Sequence, residues 1–408
     1  MKKQIYRYGV PVGAAEIVAS TGLSAGNAAP DFEEGFRRMY GEEYHSHATY
    51  KGRTAIYLIL KSLGLKEGDE VLIPSFVCET VIKAILRASL TPRLVDIDNK
   101  TFTIDPSSVR ESITPKTRAL IAVHTFGQPC DLKALGEITK DAGIYLIEDC
   151  AQALGAKYRD KPVGTFGDAS MFSFHIDKVL STGFGGMTLT KDLVIEAGIE
   201  KNLSLLAKCT FKDDLRVRKR FYEGVTHSTP GIYGLYKKVA YSGDRPYVPS
   251  VAEDGVIDEE DYIKKISSVS AAIGIPQIGR LQQILDARSR NANLLSKGLE
   301  GLSFLEKPGA VNDSAPSYLV YTVKVRGENP KEDRLKIIRA LNESGIEALN
   351  YIWAFGLHEV PYYKKACSIT DERFPGTQDA VKRIINIPVH PLIGEKDMQR
   401  IIEVIRCM

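Results

Sequence analysis

The sequence predicts an α/β fold with a mainly parallel central sheet, because short apolar segments alternate with helical patterns through its first half. Strands are predicted at residues 71–73, 93–95, 119–123 and 144–147. The stretches between them place apolar residues at helical spacing. Strands that are separated by helices form βαβ units, in which neighbouring strands run parallel. A large sheet flanked by helices is therefore expected.

Two domains are predicted from the length of 408 residues and from a change of pattern near residue 300. Residues 1–300 form the predicted large domain. Residues 301–408 form a predicted small α+β domain, with strands near 318–325 and 384–389. Within the large domain, residues 209–255 are predicted to be irregular, since they are rich in Gly, Pro, Tyr and basic residues.

The composition limits the functional classes. A net charge of +3 gives no general argument for nucleic-acid binding. The six cysteines have neither the spacing of a zinc site nor that of a dense disulfide framework, so no metal is expected. No apolar stretch reaches the ~20 residues that a membrane span needs, and the start does not match a signal peptide. A cytoplasmic protein is expected.

The stretch from Ser173 to Lys178 is a candidate catalytic segment, because its lysine has small and apolar neighbours and is followed by a glycine-rich turn. A lysine in such surroundings can form a Schiff base when its neutral form is favoured, and an exposed structural lysine is the alternative. Asp149 follows the strand predicted at 144–147, and ligands bind beyond the carboxyl ends of such strands. An acidic helix cap is the alternative for Asp149.

A pyridine cofactor would use these residues together. The carboxylate of Asp149 can keep the ring nitrogen protonated, which makes the ring an effective electron sink. A phosphate group needs hydroxyls and backbone amides at a helix N-terminus. Thr54 and Ala55, at the start of a predicted helix after Gly52, meet that need, and Ser173 can add a hydroxyl. In isolation, Thr54 can equally be a simple helix N-cap.

Several stretches together carry a family resemblance. They are Gly68-Asp69-Glu70-Val71, Val95-Asp96-Ile97-Asp98, Gly127-Gln128-Pro129, Glu148 to Ala156, Phe172 to Lys178, and Thr182 to Met187. By these stretches, the chain resembles the sugar aminotransferases of the DegT–StrS group, which are fold-type-I pyridoxal-phosphate enzymes. The resemblance covers nearly the whole chain except the segment predicted to be irregular.

The resemblance implies an aminotransferase with pyridoxal 5′-phosphate as its cofactor. Lys178 would hold the cofactor covalently and, once released, would move the proton during catalysis. Asp149 would pair with the pyridine nitrogen, and Gln152 would lie near the phenolic oxygen or the ring. Ser173, Thr54 and the Ala55 amide would hold the phosphate.

The resemblance also implies the reaction. An amino group would pass from an amino acid, with glutamate as the expected donor, to a keto-sugar that is expected to be nucleotide-linked. The product would serve polysaccharide or amino-sugar biosynthesis, and the enzyme would be a homodimer with a shared active site. Two alternatives stay open: a pyridoxal-phosphate-dependent sugar dehydratase, whose representatives typically have His where Lys178 stands, and a non-catalytic relative that binds the cofactor.

The sequence departs from the family pattern at several positions. Arg53 stands where Gly is usual, so the phosphate site is expected to carry an extra charge. Cys78, a predicted cofactor contact, replaces an aromatic residue that stacks on the ring in many relatives. Asp177 precedes the lysine and can hold it in the protonated form. Ile263 and Lys265 replace the Asn and Arg with which the partner subunit usually contacts the phosphate.

Two further features have more than one interpretation. In residues 212–245, basic side chains outnumber acidic ones and aromatic residues lie between them. This stretch can be a lid for an anionic substrate, a patch for anionic lipids, or a solvated loop on the partner subunit. His175 can be a second base or an orienting residue, and His124 is expected to be structural.

Overall fold

The computed structural model describes residues 4–9, 11–22, 26–229, 263–348, 355–369 and 373–408. The strands are β1 His45–Thr49, β2 Glu70–Pro74, β3 Thr91–Val95, β4 Thr117–Val123, β5 Tyr145–Asp149, β6 Lys157–Tyr158, β7 Lys161–Pro162, β8 Ala169–Ser173, β9 Gly186–Thr190, β10 Leu305–Glu306, β11 Ser314–Ala315, β12 Tyr321–Val325 and β13 Ile384–Ile387. The helices are α1 Ala14–Ser20, α2 Ala28–Arg37, α3 Gly52–Ser62, α4 Glu79–Arg87, α5 Pro106–Ser112, α6 Leu132–Ala142, α7 Leu193–Ser204, α8 Phe211–Ser228, α9 Ser268–Ile278, α10 Leu281–Gly298, α11 Pro330–Glu343, α12 Pro361–Ala366, α13 Pro375–Arg383 and α14 Glu395–Arg406.

The largest sheet has seven strands in the order β1-β9-β8-β5-β4-β2-β3. Strands β2, β3, β4, β5 and β8 run parallel to one another. Strand β9 is antiparallel to β8, and β1 is antiparallel to β9. The mainly parallel sheet that the sequence predicts is therefore confirmed, with its antiparallel strands at one edge.

Both faces of this sheet are buried, because alternate residues of each strand point into different apolar clusters. In β2, Leu72 belongs to one cluster, whereas Val71 and Ile73 belong to another. In β4, Leu120 and Ile121 divide between the same two clusters. The two-residue period of a strand thus makes two apolar faces, which helices cover. For this reason the central strands are almost continuously apolar in sequence.

Helix α6 illustrates how local signals place the end of β5. The helix begins after Asp131, whose carboxylate accepts a hydrogen bond from the Ala134 amide at 3.1 Å. It ends at Gly143, which has a φ of 63°, a conformation that glycine adopts without steric cost. Strand β5 then follows directly and ends at Asp149, where the sequence predicts a site.

Part of the segment predicted to be irregular, residues 209–255, is a regular helix, α8. Thr210 and Asp213 form a reciprocal capping box at its start. Val217 and Phe221, four residues apart, are both buried. The prediction was wrong here because the basic residues on the other faces concealed this narrow apolar stripe. The later part of the segment lies outside the described residues.

A second sheet of three strands, in the order β10-β12-β13, lies in the C-terminal part of the chain. Apolar residues of α11 and α14 pack in one cluster with it. Residues near α12 behave differently, since Leu357, Val360 and Tyr363 pack in the cluster that holds α3 and α4. Among the described residues, none of the helices combines the length and the apolar character needed to cross a bilayer.

Asp96, just after β3, anchors the start of α13. Its carboxylate oxygens accept hydrogen bonds from the Gly376 amide at 2.6 Å and from the Thr377 amide at 2.8 Å. The Thr377 hydroxyl donates a further bond at 2.8 Å. A carboxylate at a helix N-terminus satisfies amides that have no partner within the helix. This contact holds a C-terminal helix beside the carboxyl ends of the parallel strands.

The contact between β9 and the start of α3 leaves no room for a side chain at Gly186. A Cβ atom there would lie 2.6 Å from the Lys51 carbonyl oxygen and 2.7 Å from the Gly52 Cα. We expect Gly186→Ala to lower the free energy of unfolding by about 2–3 kcal/mol, because backbone atoms must move apart. Urea denaturation measures this change.

Gly136 provides the matched control, because it lies inside α6 and a Cβ atom there would meet no atom within 4 Å. Gly136→Ala is expected to raise the free energy of unfolding by about 0.5–1 kcal/mol. Equal effects of the two substitutions would contradict the close approach of β9 to α3.

Candidate active site

A cavity of about 410 Å³ lies at the carboxyl ends of the parallel strands β4, β5 and β8. Ligands bind at this edge of open α/β sheets. Five residues that the sequence predicts for the site line the cavity: Cys78, Asp149, Gln152, Ser173 and Lys178. The sheet thus brings together side chains from distant parts of the chain.

Lys178 lies in a loop between β8 and β9 that is held at several points. Its side chain is 15% exposed, and its backbone amide donates to the His175 carbonyl at 3.0 Å. The Phe174 amide donates to Gly185 at 2.9 Å, and the Thr182 amide donates to Phe174 at 2.9 Å. These bonds tie the loop to itself and to the start of β9, so the amine is presented to the cavity from a fixed backbone.

Asp149 is the last residue of β5 and is only 4% exposed. Burial raises the pKa of its carboxyl group above the usual value, although the Ala151 amide at 2.9 Å and the charge of Lys178 oppose this shift. A buried carboxylate is costly unless a cation or hydrogen-bond donor accompanies it. The carboxyl group is therefore suited to a ligand that brings an N–H donor into the cavity.

Glu148 lies next to Asp149 but points away from the cavity lining and is fully buried. One of its oxygens accepts the Gly164 amide at 2.7 Å, and the other accepts the Phe166 and Gly167 amides at 2.7 and 2.8 Å. These bonds attach the turn before β8 to the end of β5. Although burial alone would raise the pKa of Glu148, its hydrogen bonds hold it below the usual value.

His124 completes this buried network and has a structural role, as the sequence predicts. Its Nδ1 accepts the Cys130 amide at 3.0 Å, so its Nε2 carries the proton that is donated to Glu148 at 3.0 Å. Its backbone amide also donates to the Asp149 carbonyl at 3.1 Å. His124, Glu148 and Cys150 are close enough to share a metal ion. However, both ring nitrogens of His124 and both oxygens of Glu148 are already engaged in hydrogen bonds.

Gln152 connects the cavity to a strained turn. Its Oε1 accepts the Phe126 amide at 2.6 Å, and Phe126 has a φ of 60°, which is uncommon for a bulky residue. Since Oε1 is occupied in this way, the side-chain NH₂ group is the part of the amide that can donate to a ligand. The structure thus fixes the orientation of a side chain for which the sequence predicts only proximity.

The predicted phosphate contacts, Thr54 and Ala55, lie inside α3 rather than at its first residue. The helix begins at Gly52 rather than at Thr54, and Lys51, Gly52 and Arg53 line the cavity. Thr54 and Ala55 are fully buried and are not among the lining residues. The sequence interpretation placed the helix start too late, because it treated Gly52 as a residue preceding the helix.

Close packing brings this helix N-terminus to Ser173. A Cβ atom at Gly52 would lie 3.2 Å from the Ser173 hydroxyl and 2.8 Å from the Met171 Cε. The absence of a side chain at Gly52 leaves backbone amides, the Ser173 hydroxyl and Arg53 on one side of the cavity. Amides at a helix N-terminus together with a nearby hydroxyl are a common phosphate-binding arrangement.

Cys78 precedes α4 and lines the cavity as a free thiol. The Thr80 hydroxyl donates to its sulfur at 3.2 Å. The aromatic residues that line the cavity, Phe184 and Phe355, come from other segments. The sequence interpretation did not identify Phe184, because a single aromatic residue within a glycine-rich turn gives no pattern.

Comparison with known proteins identifies the family. Residues 13–406 match the model of the DegT/DnrJ/EryC1/StrS aminotransferase family. The chain belongs to this family. It is a pyridoxal-phosphate-dependent aminotransferase of fold type I, as the sequence resemblance implies. Such an enzyme uses an amine and a buried carboxylate. Lys178 and Asp149 are residues that carry these two groups.

Relatives of this DegT/StrS aminotransferase have been named in several bacteria. It is 30% identical to a GDP-perosamine synthase of Caulobacter vibrioides, over 93% of this chain and 89% of that protein. It is 27% identical to the spore coat polysaccharide biosynthesis protein SpsC of Bacillus subtilis, over 96% of this chain and 92% of that protein. The aminotransferase from Psychrobacter cryohalolentis has the same fold, with a TM-score of 0.79 and 22% identity over 99% of this chain and 98% of that one.

The lining of the cavity fits pyridoxal phosphate. Lys178 offers an amine for the cofactor aldehyde, and the buried Asp149 offers a carboxylate for the ring nitrogen. Gly52 and Arg53 at the start of α3 line the cavity together with Ser173, and helix N-terminal amides with a nearby hydroxyl can hold a phosphate. The residues present therefore supply one suitable group for each end of the cofactor.

The buried network behind Asp149 makes a prediction about stability. We expect Glu148→Gln to lower the free energy of unfolding by about 3 kcal/mol, because the new NH₂ group would face amide donors in place of a carboxylate oxygen. Urea denaturation of the cofactor-free protein measures the loss. Glu137→Gln is the control, since Glu137 is 60% exposed and its removal should change stability by about 0.5 kcal/mol or less. Identical unfolding midpoints for the two variants would refute the assigned role of Glu148.

Proposed function

We propose that this enzyme transfers an amino group from glutamate to the keto carbon of a nucleotide-linked keto-sugar. The observation that carries the proposal is the meeting of Lys178 and Asp149 in one cavity, in a chain of the DegT/DnrJ/EryC1/StrS family. The name of the Caulobacter vibrioides relative supports a nucleotide-linked sugar, and the name of the Bacillus subtilis relative supports a role in polysaccharide synthesis.

Lys178 is the proposed catalytic residue. Bound pyridoxal phosphate supplies an electron sink for the negative charge that develops when a proton leaves the carbon beside the transferred nitrogen. Lys178 first holds the cofactor through Nζ. Its free amine would be the base that takes up this proton and returns it on the cofactor side. Its fixed loop and low exposure support this assignment, because a proton carrier must be positioned and shielded from water.

Asp149 and Gln152 are the proposed contacts of the cofactor ring. The Asp149 carboxylate accepts the hydrogen bond of the protonated ring nitrogen, and that cation offsets the cost of burying the carboxylate. The Gln152 side-chain NH₂ group, oriented by the bond that its Oε1 accepts from the Phe126 amide, would donate to the phenolic oxygen. Both roles agree with the sequence prediction.

The phosphate is proposed to lie between the Ser173 hydroxyl and the start of α3. Because Thr54 and Ala55 do not line the cavity, the first turn of α3 contributes through Gly52 and Arg53. Arg53 would add a positive charge beside the phosphate, which favours a dianionic ligand. Cys78, which lines the cavity, would lie beside the ring and would not provide the stacking of an aromatic residue.

A homodimer with a shared active site is the proposed assembly. Leu205, Phe211 and Leu215 are large apolar residues with exposures of 77%, 73% and 48%, which an interface with a second copy would bury. Sedimentation should give twice the mass of the 45.1 kDa chain. Ile263 and Lys265 stand where the family resemblance implies the Asn and Arg that contact the phosphate of the partner subunit, and no such contact is proposed for them.

The domain division and the cellular location are also carried forward as proposals. We assign residues 1–300 to the large domain and residues 301–408 to the small one, and the sheet β10-β12-β13 supports a separate core in the second part. The packing of residues near α12 against α3 and α4 gives the small domain a contact with the large one. Cytoplasmic location stays a prediction.

Replacement of Lys178 tests the attachment of the cofactor. Purified protein with added pyridoxal phosphate should develop a visible absorbance band. Lys178→Ala should lose both this band and the transfer activity, because no amine remains to hold the aldehyde. Lys140→Ala is the control, since Lys140 is exposed on α6, and it should keep both. A Lys178→Ala protein with an unchanged band and activity would contradict the assigned role.

A panel of keto-sugar nucleotides tests the proposed reaction. With the accepted substrate, glutamate should yield one 2-oxoglutarate for each amino-sugar formed, as measured by chromatography of both products. A sugar dehydratase would instead consume the keto-sugar without stoichiometric loss of glutamate. Such a result, or no turnover with any member of the panel, would contradict the proposed reaction.

A further inference from the structure

Glu79, the first residue of α4, is a carboxylate of the cavity lining to which the proposed function gives no role. The other carboxylates that the structure places in this lining have partners at the reaction centre. Asp149 is assigned to the ring nitrogen. Asp177 lies 2.8 Å from Nδ1 of His175 and 3.6 Å from Nζ of Lys178. Glu79 has a different set of partners, which lie away from the reactive amine.

Two donors hold the Glu79 side chain in one orientation. The Lys83 ammonium group, one turn along α4, donates to Oε1 at 2.9 Å. The Tyr363 hydroxyl, from α12, donates to Oε2 at 3.0 Å. Burial, together with the charge of Glu79, raises the pKa of Tyr363, so this hydroxyl stays protonated and acts as the donor. The carboxylate is thus fixed before a substrate enters the cavity.

These bonds use only part of the accepting capacity of Glu79. The two oxygens of a carboxylate offer about four lone-pair positions, and Lys83 and Tyr363 take one each. The Glu79 side chain is 30% exposed and borders the cavity, so a ligand can reach the remaining positions. Because the side chain is already oriented, it loses little conformational entropy when it accepts a further hydrogen bond.

The charge of Glu79 determines which part of a substrate it can bind. The cofactor phosphate, a nucleotide diphosphate and the carboxylates of glutamate are anions, which a carboxylate repels. Lys83 offsets this charge from outside the cavity, since it is not among the described residues of the lining. The hydroxyl groups of a sugar are neutral donors, and their hydrogen bonds to an ionised acceptor are short and strong. The sugar ring is therefore the part that Glu79 suits.

The position of Glu79 agrees with this choice. It directly follows Cys78, which lines the cavity and would lie beside the cofactor ring. During transfer the keto carbon must approach the cofactor, so the rest of the sugar ring occupies the neighbouring space. Because Cys78 and Glu79 border the same cavity, Glu79 belongs to the walls that would surround the sugar.

We propose that Glu79 is a specificity-determining residue that accepts a hydrogen bond from a hydroxyl group of the keto-sugar. This inference rests on the proposed function and names the part of the substrate that this wall of the cavity recognises. The bond orients the sugar ring so that its keto carbon faces the reaction centre. Lys83 and Tyr363 act through Glu79 by holding its carboxylate in place.

The two halves of the reaction, measured separately, test this proposal. Glutamate alone should release 2-oxoglutarate from the cofactor-loaded enzyme. After glutamate is removed, a keto-hexose linked to uridine, guanosine or thymidine diphosphate should yield the amino-sugar. Glu79→Gln keeps the shape of the side chain but removes its charge. It should lower kcat/KM for the keto-sugar by about 10-fold, mainly through KM, because a hydrogen bond to a charged group is lost. Release of 2-oxoglutarate should not slow.

Two further variants serve as comparisons. Tyr363→Phe removes one donor but leaves the carboxylate, so it should weaken the keto-sugar half-reaction less than Glu79→Gln does. Glu137→Gln changes a carboxylate that is 60% exposed on α6 and should alter neither half-reaction.

Deoxy analogues of the accepted keto-sugar identify the hydroxyl group that Glu79 binds. The wild type should convert the analogue that lacks this hydroxyl more slowly than the complete sugar. Glu79→Gln should not distinguish between the two, because the acceptor for that hydroxyl is already weakened. If the variant discriminates against every deoxy analogue as strongly as the wild type does, the proposal is overturned.

A purely structural role for Glu79 predicts a different pattern. Equal losses in both half-reactions, or an unchanged kcat/KM for the keto-sugar, would overturn the proposal. Should Glu79→Gln not fold, Glu79→Asp takes its place, because it keeps the charge but shortens the side chain. The same selective loss is then expected, and its absence contradicts the proposal. Failure of the wild type to aminate any keto-sugar would instead refute the proposed function, so the two failures are distinguishable.

Discussion

Asp149 and Lys178 face one cavity as groups of opposite charge, and the surrounding structure serves to keep them there. Asp149 is 4% exposed at the end of β5, where an unpartnered carboxylate would be costly. Glu148, its neighbour in the strand, ties the turn before β8 to the same strand end and so helps to fix the strand that leads to Lys178. A site that holds a charged ligand between an amine and a carboxylate depends on this rigid frame, because small displacements weaken such contacts strongly.

Much of this frame could be predicted from the sequence. The strand that ends in Glu148 and Asp149 is a run of apolar residues followed by two acidic residues. In open α/β sheets, ligands bind beyond the carboxyl ends of such strands. The glycine-rich turn after Lys178 marks a backbone that must fold tightly. Gln152 followed from family resemblance and Ser173 from the need for a hydroxyl near the phosphate, and the cavity lining includes both. The prediction that His124 is structural is confirmed by its bonds to Glu148 and to the Cys130 amide.

Other features depend on contacts that a linear pattern does not contain. The cavity is lined by Gly52 and Arg53 rather than by Thr54 because α3 begins at Gly52, where the chain contacts Ser173 and Gly186 of distant strands. Helix α8 was missed because its buried residues form a narrow stripe among basic ones. The bond between His175 and Asp177 joins near neighbours, but it depends on side-chain directions that only the folded loop determines.

The central claim is that the Lys178 nitrogen bonds to the aldehyde carbon of pyridoxal phosphate. Borohydride reduction of the loaded enzyme, followed by proteolysis and mass spectrometry of the peptides, tests this bond most directly, because reduction makes the link permanent. The account predicts that the added mass of the reduced cofactor lies on the peptide that contains Lys178. Labelling of a different lysine, or unlabelled protein from a preparation that actively transfers amino groups, would contradict it.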